Sequence, residues 1–356
     1  MREGQSGFGM MRTKTFWVSI SVCAAFLILV PGLLGLQRTS LCAQPISGPI
    51  FVLLYHPWEE GFQSAFRDHL NWLKQNHYQT ISLETLIRYL KGEEVPLPEN
   101  PILLTFDDGT IENYEVVYPM LQEFDFVGAA FVITGLPFTR SSNRFWWREV
   151  DRSNQLEIES HSRSHRYIWI SPRIVDFYSG EDPGDYWLIR GMDWRLGAPI
   201  YEFGYELVYD QYLPDRRIAD FCVNYVKQNG GQDFFNRVDW KEDLLQKVED
   251  FRKGHQGHGR YEMEVQRDRR IKTEIGLSKR VIEQTIGRGK EVKFFAYPWG
   301  AYDESLIIQL KQEGYQGALT DDFGGNSPGD DPFKIKRILV TSEMTVEDLK
   351  DLIKKE

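Results

Sequence analysis

Cysteine is scarce. The 356 residues hold three, Cys23, Cys42 and Cys222, too few for a disulfide scaffold. Positive charge is short as well: 42 Lys and Arg stand against 52 Asp and Glu, a formal net charge of −10. A protein that binds nucleic acid through its phosphates needs a basic face, so no nucleic-acid partner is expected. A phosphate-cradling loop is missing too, because Gly324-Gly325-Asn326 is a turn without the strand–helix context such a loop requires. What is present is a core: hydrophobic residues make up 42% and charged residues 26% of the chain, a globular balance and not a disordered one.

The longest apolar run lies at the N-terminus. Arg2, Arg12 and Lys14 precede an uncharged stretch from Phe16 to Leu36, interrupted by Ser19, Ser21, Pro31 and Gly32. Basic residues before an apolar run describe an export signal, and the run also reaches the roughly 20 residues that span a bilayer as a helix. Residues 1–43 are therefore either a signal peptide, with Ser40-Leu41-Cys42-Ala43 as its cleavage context, or an uncleaved N-terminal membrane anchor. Pro31 and Gly32 weaken the helix and tilt the choice toward cleavage. On either reading the rest of the protein is exported: extracellular, periplasmic, or anchored on the outer side of the cytoplasmic membrane.

Beyond this segment, strand-like and helix-like stretches alternate. Apolar runs at 50–55, 78–81, 101–106, 127–133, 156–160, 292–297, 317–319 and 335–340 read as strands, and 62–76 repeats apolar positions at helical spacing. Repeated βα units predict an α/β fold with a parallel sheet, and this many strands favours an irregular (β/α) barrel of about seven or eight. Ligands bind at the C-terminal strand ends of such sheets, which directs attention to the loops there.

Two of those loops carry suggestive chemistry. The first is Thr105-Phe106-Asp107-Asp108-Gly109. Adjacent carboxylates repel unless a cation or a proton relieves them; the alternative is a tight turn with Asp108 capping the next helix. The second is His161-Ser162-Arg163-Ser164-His165, following the strand 156–160. Histidines four apart on a helical turn share a face and can share a metal; the alternative is a pair of solvated loop histidines. Taken together, one carboxylate and two histidines form a facial triad, leaving a second carboxylate free as a base.

These two segments, with Phe294-Phe-Ala-Tyr-Pro-Trp-Gly-Ala-Tyr302 as a third, resemble the motifs of the polysaccharide deacetylases (carbohydrate esterase family 4, the NodB-homology domain). The resemblance runs from about Ile50 to Val340, within a deacetylase domain expected over 50–350. It implies the NodB-type barrel and a hydrolase that removes N-acetyl groups from an N-acetylglucosamine-containing polysaccharide by attack of a metal-activated water. Carried over by position, Asp107 is the general base, and Asp108, His161 and His165 are ligands of a divalent metal ion, expected to be Zn²⁺. The segment Tyr297-Pro298-Trp299 is the substrate-binding element, supplying a backbone N–H to the oxyanion. Tyr55-His56, together with Ala296-Tyr-Pro-Trp-Gly300, is similar to the branch acting on poly-N-acetylglucosamine. Peptidoglycan, chitin or acetylated xylan as substrate, and a non-catalytic carbohydrate-binding protein on the same scaffold, are the alternatives.

Two departures stand out. Many family members begin the third motif with an arginine that pairs with the catalytic aspartate, where this chain has Phe295-Ala296. Many also use a late histidine as general acid, and none follows His258 here. His56 is then the candidate acid, against the alternative of a histidine packed beneath the site. An insertion over about 167–253 is unusual as well. Its first 74 positions, 167–240, hold 17 aromatics and more acidic than basic residues, 12 to 7. Such a segment either packs a small core of its own or lines a groove for sugar rings. His255 and His258 sit in a glycine-rich loop, where solvated histidines are the expectation.

Overall fold

The computed structural model describes residues 48–135, 145–181, 184, 186–255, 259–287 and 289–354. The N-terminal segment read as signal peptide or anchor lies outside them, as does His258. Among the described residues no helix is long and apolar enough to cross a membrane.

The strands are β1 (Phe51–Tyr55), β2 (Tyr78–Thr80), β3 (Asn100–Phe106), β4 (Gly128–Val132), β5 (Leu156–Ser160), β6 (Tyr167–Phe177), β7 (Pro199–Tyr205), β8 (Tyr212–Leu213), β9 (Arg260–Tyr261), β10 (Phe294–Ala296), β11 (Gly317–Leu319) and β12 (Ile338–Leu339). The helices are α1 (Phe62–Gln75), α2 (Leu83–Leu90), α3 (Tyr118–Phe124), α4 (Phe145–Arg152), α5 (Arg216–Gln228), α6 (Trp240–Gly254), α7 (Glu264–Ile286), α8 (Glu304–Gln312) and α9 (Val346–Lys354). A parallel sheet runs in the order β11-β10-β5-β4-β3-β1-β12, with β2 pairing the start of β3. The segment around β12 reaches both edges, since Ile335 bridges Leu319 of β11 while Ile338 pairs Leu53 of β1. The result is the expected irregular (β/α) barrel.

Local chemistry explains the elements. All five residues of β1 are buried, as a strand covered on both faces demands. In α1 the buried positions Phe62, Phe66, His69, Leu70 and Leu73 follow the helical period and form one stripe. Ser82 caps α2 by accepting the Thr85 N–H at 3.2 Å, satisfying a donor the first turn leaves unpaired.

Strand alternation sorts the core into two layers. Phe51, Leu53, Tyr55, Leu104, Phe106, Ile158, Phe295, Tyr297 and Ile338 pack outward against α1, α3, α7 and α8. Val52, Leu103, Phe131, Phe294, Ala296, Leu319 and Ile335 pack inward with α2. Because successive strand residues face opposite sides, the inward set continues at the strand ends as His56, Asp107, His161 and Arg337. The barrel's own periodicity therefore gathers these four at its mouth.

Residues 167–251 contain two cores of their own. One joins Phe177, Ile218, Cys222, Val226, Phe234, Leu244 and Val248; the other joins Trp169, Ile189, Ile200, Tyr201 and Tyr212. Most of the insertion's aromatics are spent there, although Trp187 reaches the main cavity.

Candidate active site

A cavity of about 840 Å³ opens at the C-terminal strand ends, bordered by His56, Trp58, Asp107, Asp108, His161, His165, Trp187 and Trp299. Its backbone is unusual. Asp108 (φ 72°), Ser162 (φ 64°), His165 (φ 50°) and Trp299 (φ 62°) all adopt left-handed conformations, which non-glycine residues rarely hold except where surrounding structure over-determines them.

Asp107 and Asp108 have opposite fates. Asp107 is buried and receives two parallel hydrogen bonds from Arg337, Nη1 to Oδ1 and Nη2 to Oδ2, each 2.9 Å. Arg337 is itself buried and also donates from Nη2 to Asp321 Oδ1 at 2.7 Å and from Nε to the Thr320 carbonyl at 2.8 Å. Burial alone would raise the Asp107 pKa; the charges of Arg337 and His161, with the Arg337 hydrogen bonds, outweigh it and hold the carboxyl at about 2. The arginine missing from the third motif is thus replaced from the segment leading into β12, and the expectation that Asp107 lacks such a partner is corrected.

Asp108 turns the other way. It accepts a 2.7 Å hydrogen bond from Trp58 Nε1 and has no Lys or Arg partner among the described residues. It caps no helix, because the next helical turn begins only at Asn113. What faces it is His161 Nε2, 3.7 Å from Oδ1. Nδ1 of His161 lies 2.9 Å from the Ala296 carbonyl oxygen, which can only accept, so Nδ1 carries a proton and, in the neutral ring that ligates a metal, Nε2 is the nitrogen with the lone pair. This nitrogen and the Asp108 carboxylate, directed at each other, are satisfied by a shared proton or by a metal ion between them.

His165 completes the set: one ligand atom each from Asp108, His161 and His165 lie within 4.8 Å of one another. Burial first, and His161 second, push the His165 pKa well below its usual value, which keeps the ring neutral and able to ligate. The two histidines are not on a helical turn, contrary to what their spacing implies. A loop with two left-handed residues brings their rings to 4.7 Å, and Trp299 packs on His165 from the other side at 4.4 Å. Two imidazoles and one carboxylate, the first imidazole oriented by a backbone carbonyl, suit Zn²⁺ with positions left for other ligands.

The third motif contributes less than its sequence suggests. Tyr297 lies on the outward face, buried, with its hydroxyl donating to the Phe333 carbonyl at 3.0 Å and its N–H to the Leu319 carbonyl at 3.0 Å. Pro298 is buried and has no N–H. Trp299 alone of the three borders the cavity. His56 also borders it, with Nδ1 3.9 Å from Glu59 Oε1, so it is not packed beneath the site. His255 stands apart, stacked on Phe251. Two residues at the site escape sequence reading. Trp58 gives no signal beyond standing two positions after His56, whereas Arg337 is inward by alternation with Ile335.

Gly109 fits because nothing else does. At φ 68°, an added Cβ would sit 2.5 Å from Val132 Cγ1 and 2.8 Å from Val132 Cα. Gly109→Ala is expected to lower stability by roughly 2–4 kcal/mol, combining left-handed strain with overpacking. Thermal or urea unfolding measures this; an unchanged midpoint would show that the turn relaxes freely.

Comparison with known proteins agrees with the motifs. The family described as polysaccharide deacetylase matches residues 94–178, which hold the first two. The chain is 31% identical over 120 residues to the poly-beta-1,6-N-acetyl-D-glucosamine N-deacetylase of Escherichia coli K12, covering 29% of this chain and 18% of that protein. It is 30% identical over 73 residues to the enzyme of the same name from Staphylococcus aureus, covering 20% and 24%. These matches span under a third of the relatives' lengths. Among solved structures, the BpsB deacetylase domain of Bordetella bronchiseptica superimposes with a TM-score of 0.55 at 18% identity, over 82% of this chain and 96% of that one. A de-N-acetylase from Aggregatibacter actinomycetemcomitans gives 0.55 at 18%, over 86% and 100%. The likeness to these structures is one of fold.

Proposed function

We propose that this chain, which carries the sequence signature and fold of the polysaccharide deacetylases, is a metal-dependent hydrolase that removes N-acetyl groups from an N-acetylglucosamine-containing polysaccharide. Poly-β-1,6-N-acetylglucosamine is the polymer named for its relatives and the favoured substrate. The observation that carries the reading is the division of labour between two adjacent carboxylates: one neutralised by a buried arginine and kept ionised, the other unpaired and facing two histidines.

Asp108, His161 and His165 would hold the divalent cation, with Zn²⁺ the best match to their chemistry. Such an ion supplies Lewis acidity, polarising the amide carbonyl and making water more acidic. The rest falls to the chain's own groups. Asp107, ionised well below neutrality, accepts the proton of the attacking water. As the carbonyl oxygen gains charge it needs a fixed donor; Tyr297 N–H is engaged and Pro298 has none, which leaves the Trp299 N–H at the cavity edge. His56, on the cavity wall, protonates the departing amine as acetate leaves. The exposed Trp58 and Trp187 offer flat faces for sugar rings. The N-terminal apolar segment supports action outside the cytoplasm.

The test is acetate release by the purified chain on poly-N-acetylglucosamine oligomers, with Zn²⁺ or Co²⁺ added and with a chelator. Release that the chelator abolishes and metal restores is the expected result. Oligomer binding without release would favour a carbohydrate-binding role, and neither would move the substrate to peptidoglycan, chitin or acetylated xylan. His56→Ala should reduce kcat about 10²-fold, the scale of general acid catalysis, with cation affinity unchanged. Wild-type turnover in that variant would remove His56 from the mechanism.

A further inference from the structure

The loop 161–165 is held from behind by groups that do not border the main cavity. Helix α7 presents Glu274 and Ser278, four residues apart and so on one face. Glu274 Oε2 accepts the Ser164 N–H at 2.8 Å, and Ser278 Oγ donates to the Ser162 carbonyl at 2.9 Å. These bonds fix the loop backbone at residues 162 and 164, between the two histidines.

The insertion supplies the other half. Arg190 Nη2 lies 3.0 Å from Ser164 Oγ, 3.0 Å from Glu206 Oε2 and 2.9 Å from Glu274 Oε1. Ser164 Oγ lies 3.0 Å from Glu206 Oε2 and 2.9 Å from Glu274 Oε2. Ser164, Glu206, Glu274 and Ser278 are all buried. A buried carboxylate pair is costly unless a cation and hydrogen bonds compensate it, and Arg190 with Ser164 offsets part of that cost here. The network therefore stands or falls as a unit with the loop in place. The loop needs such support, since Ser162 and His165 hold left-handed backbone conformations.

We propose that Glu274, Ser278, Arg190 and Glu206 are positioning residues that clamp this loop so that His161 and His165 meet a divalent cation in fixed geometry, an inference resting on the deacetylase reading. The long insertion is then part of the metal-binding apparatus, because removing it removes Arg190 and Glu206. Residues behind a metal's ligands typically change affinity or activity 10–100-fold when lost.

The experiment titrates Co²⁺ into the full chain and follows both the dissociation constant and the ligand-field absorption of the bound ion, with thermal unfolding of the metal-free protein as a control. Glu274→Ala and Ser278→Ala should each weaken Co²⁺ binding 10–100-fold and alter the absorption band. Glu274→Gln keeps an amide oxygen for the Ser164 N–H but turns its NH2 group toward Arg190, so it should recover part of the lost affinity. Glu274→Met, which fills the same space and accepts neither bond, should recover none, whereas a mere loss of packing at α7 would be repaired by both. If Glu274→Ala does not fold, Ser278→Ala, which removes a single hydroxyl, decides the matter. Wild-type affinity and spectrum in a folded alanine variant overturn the clamp while leaving the deacetylase reading intact. A wild-type chain that takes up no Co²⁺ overturns both.

Discussion

Replacing Arg337 by methionine is expected to lower kcat/KM at pH 7 by about 10³-fold, within the range that loss of a positioned base costs. It should also move the acid limb of the pH profile upward. Arg337 is the cation that outweighs burial at Asp107; without it desolvation dominates and the carboxyl holds its proton to higher pH. Stability gives an independent readout. In the wild type Asp107 titrates near 2, below its ordinary 3.8, so it stabilises the fold above pH 3.8, and that contribution is lost as pH falls toward 2. In the variant the folded-state pKa lies above 3.8, and the sign reverses: stability declines as pH rises past 3.8. Removing one partner of a buried ion pair typically costs 3–5 kcal/mol, and here proton uptake by Asp107 softens the cost at low pH. Chemical denaturation between pH 3 and 8 separates the two slopes. A variant with the wild-type slope and acid limb would mean that Arg337 does not govern the base.

The site's legibility from sequence followed a physical rule. Asp107 and Asp108 were readable because they follow the apolar run Ile102–Phe106, and His161 and His165 because they follow the alternating Leu156-Glu-Ile-Glu-Ser160; C-terminal strand ends form the mouth of a parallel barrel. Residues whose role depends on parity were harder. Tyr297 continues the outward set with Phe295 and turns into the core, although its motif suggests a substrate contact. Arg337 continues the inward set with Ile335, but β12 is two residues long and paired through scattered bridges, too short to announce a period. The four-residue spacing of the histidines pointed to a helical turn; two left-handed residues bring the rings together instead, and backbone conformation of that kind carries no signal in Ser or His. Of the network behind the loop, nothing was visible. Glu274 and Ser278 sit on a helix whose sequence gives no sign of which polar residues turn inward, and Arg190 and Glu206 meet them only through the tertiary fold.

Asp108→Asn isolates charge from shape. The amide keeps an oxygen to accept the Trp58 N–H now bonded at 2.7 Å and changes the volume little, so what is lost is the negative charge facing His161. Without metal, that charge is a liability, since Asp107 already carries one and no Lys or Arg among the described residues pairs Asp108. The metal-free variant should therefore unfold at the same temperature as wild type or slightly higher. With metal the order inverts. A ligand that binds only the folded state stabilises it by about 2.7 kcal/mol at a hundredfold excess over its dissociation constant, so Zn²⁺ should raise the wild-type midpoint by several degrees and leave the variant's nearly unmoved. Losing a ligand outright should exceed the 10–100-fold penalty of losing its supports, and turnover on N-acetylglucosamine oligomers should fall at least about 10³-fold with it. The crossing of the two melting curves is the discriminating result, because a general loss of structure lowers both midpoints and a residue irrelevant to the cation shifts neither. Equal Zn²⁺ stabilisation in wild type and variant would remove Asp108 from the ligand set, and with it the reading of the paired carboxylates as one base and one ligand.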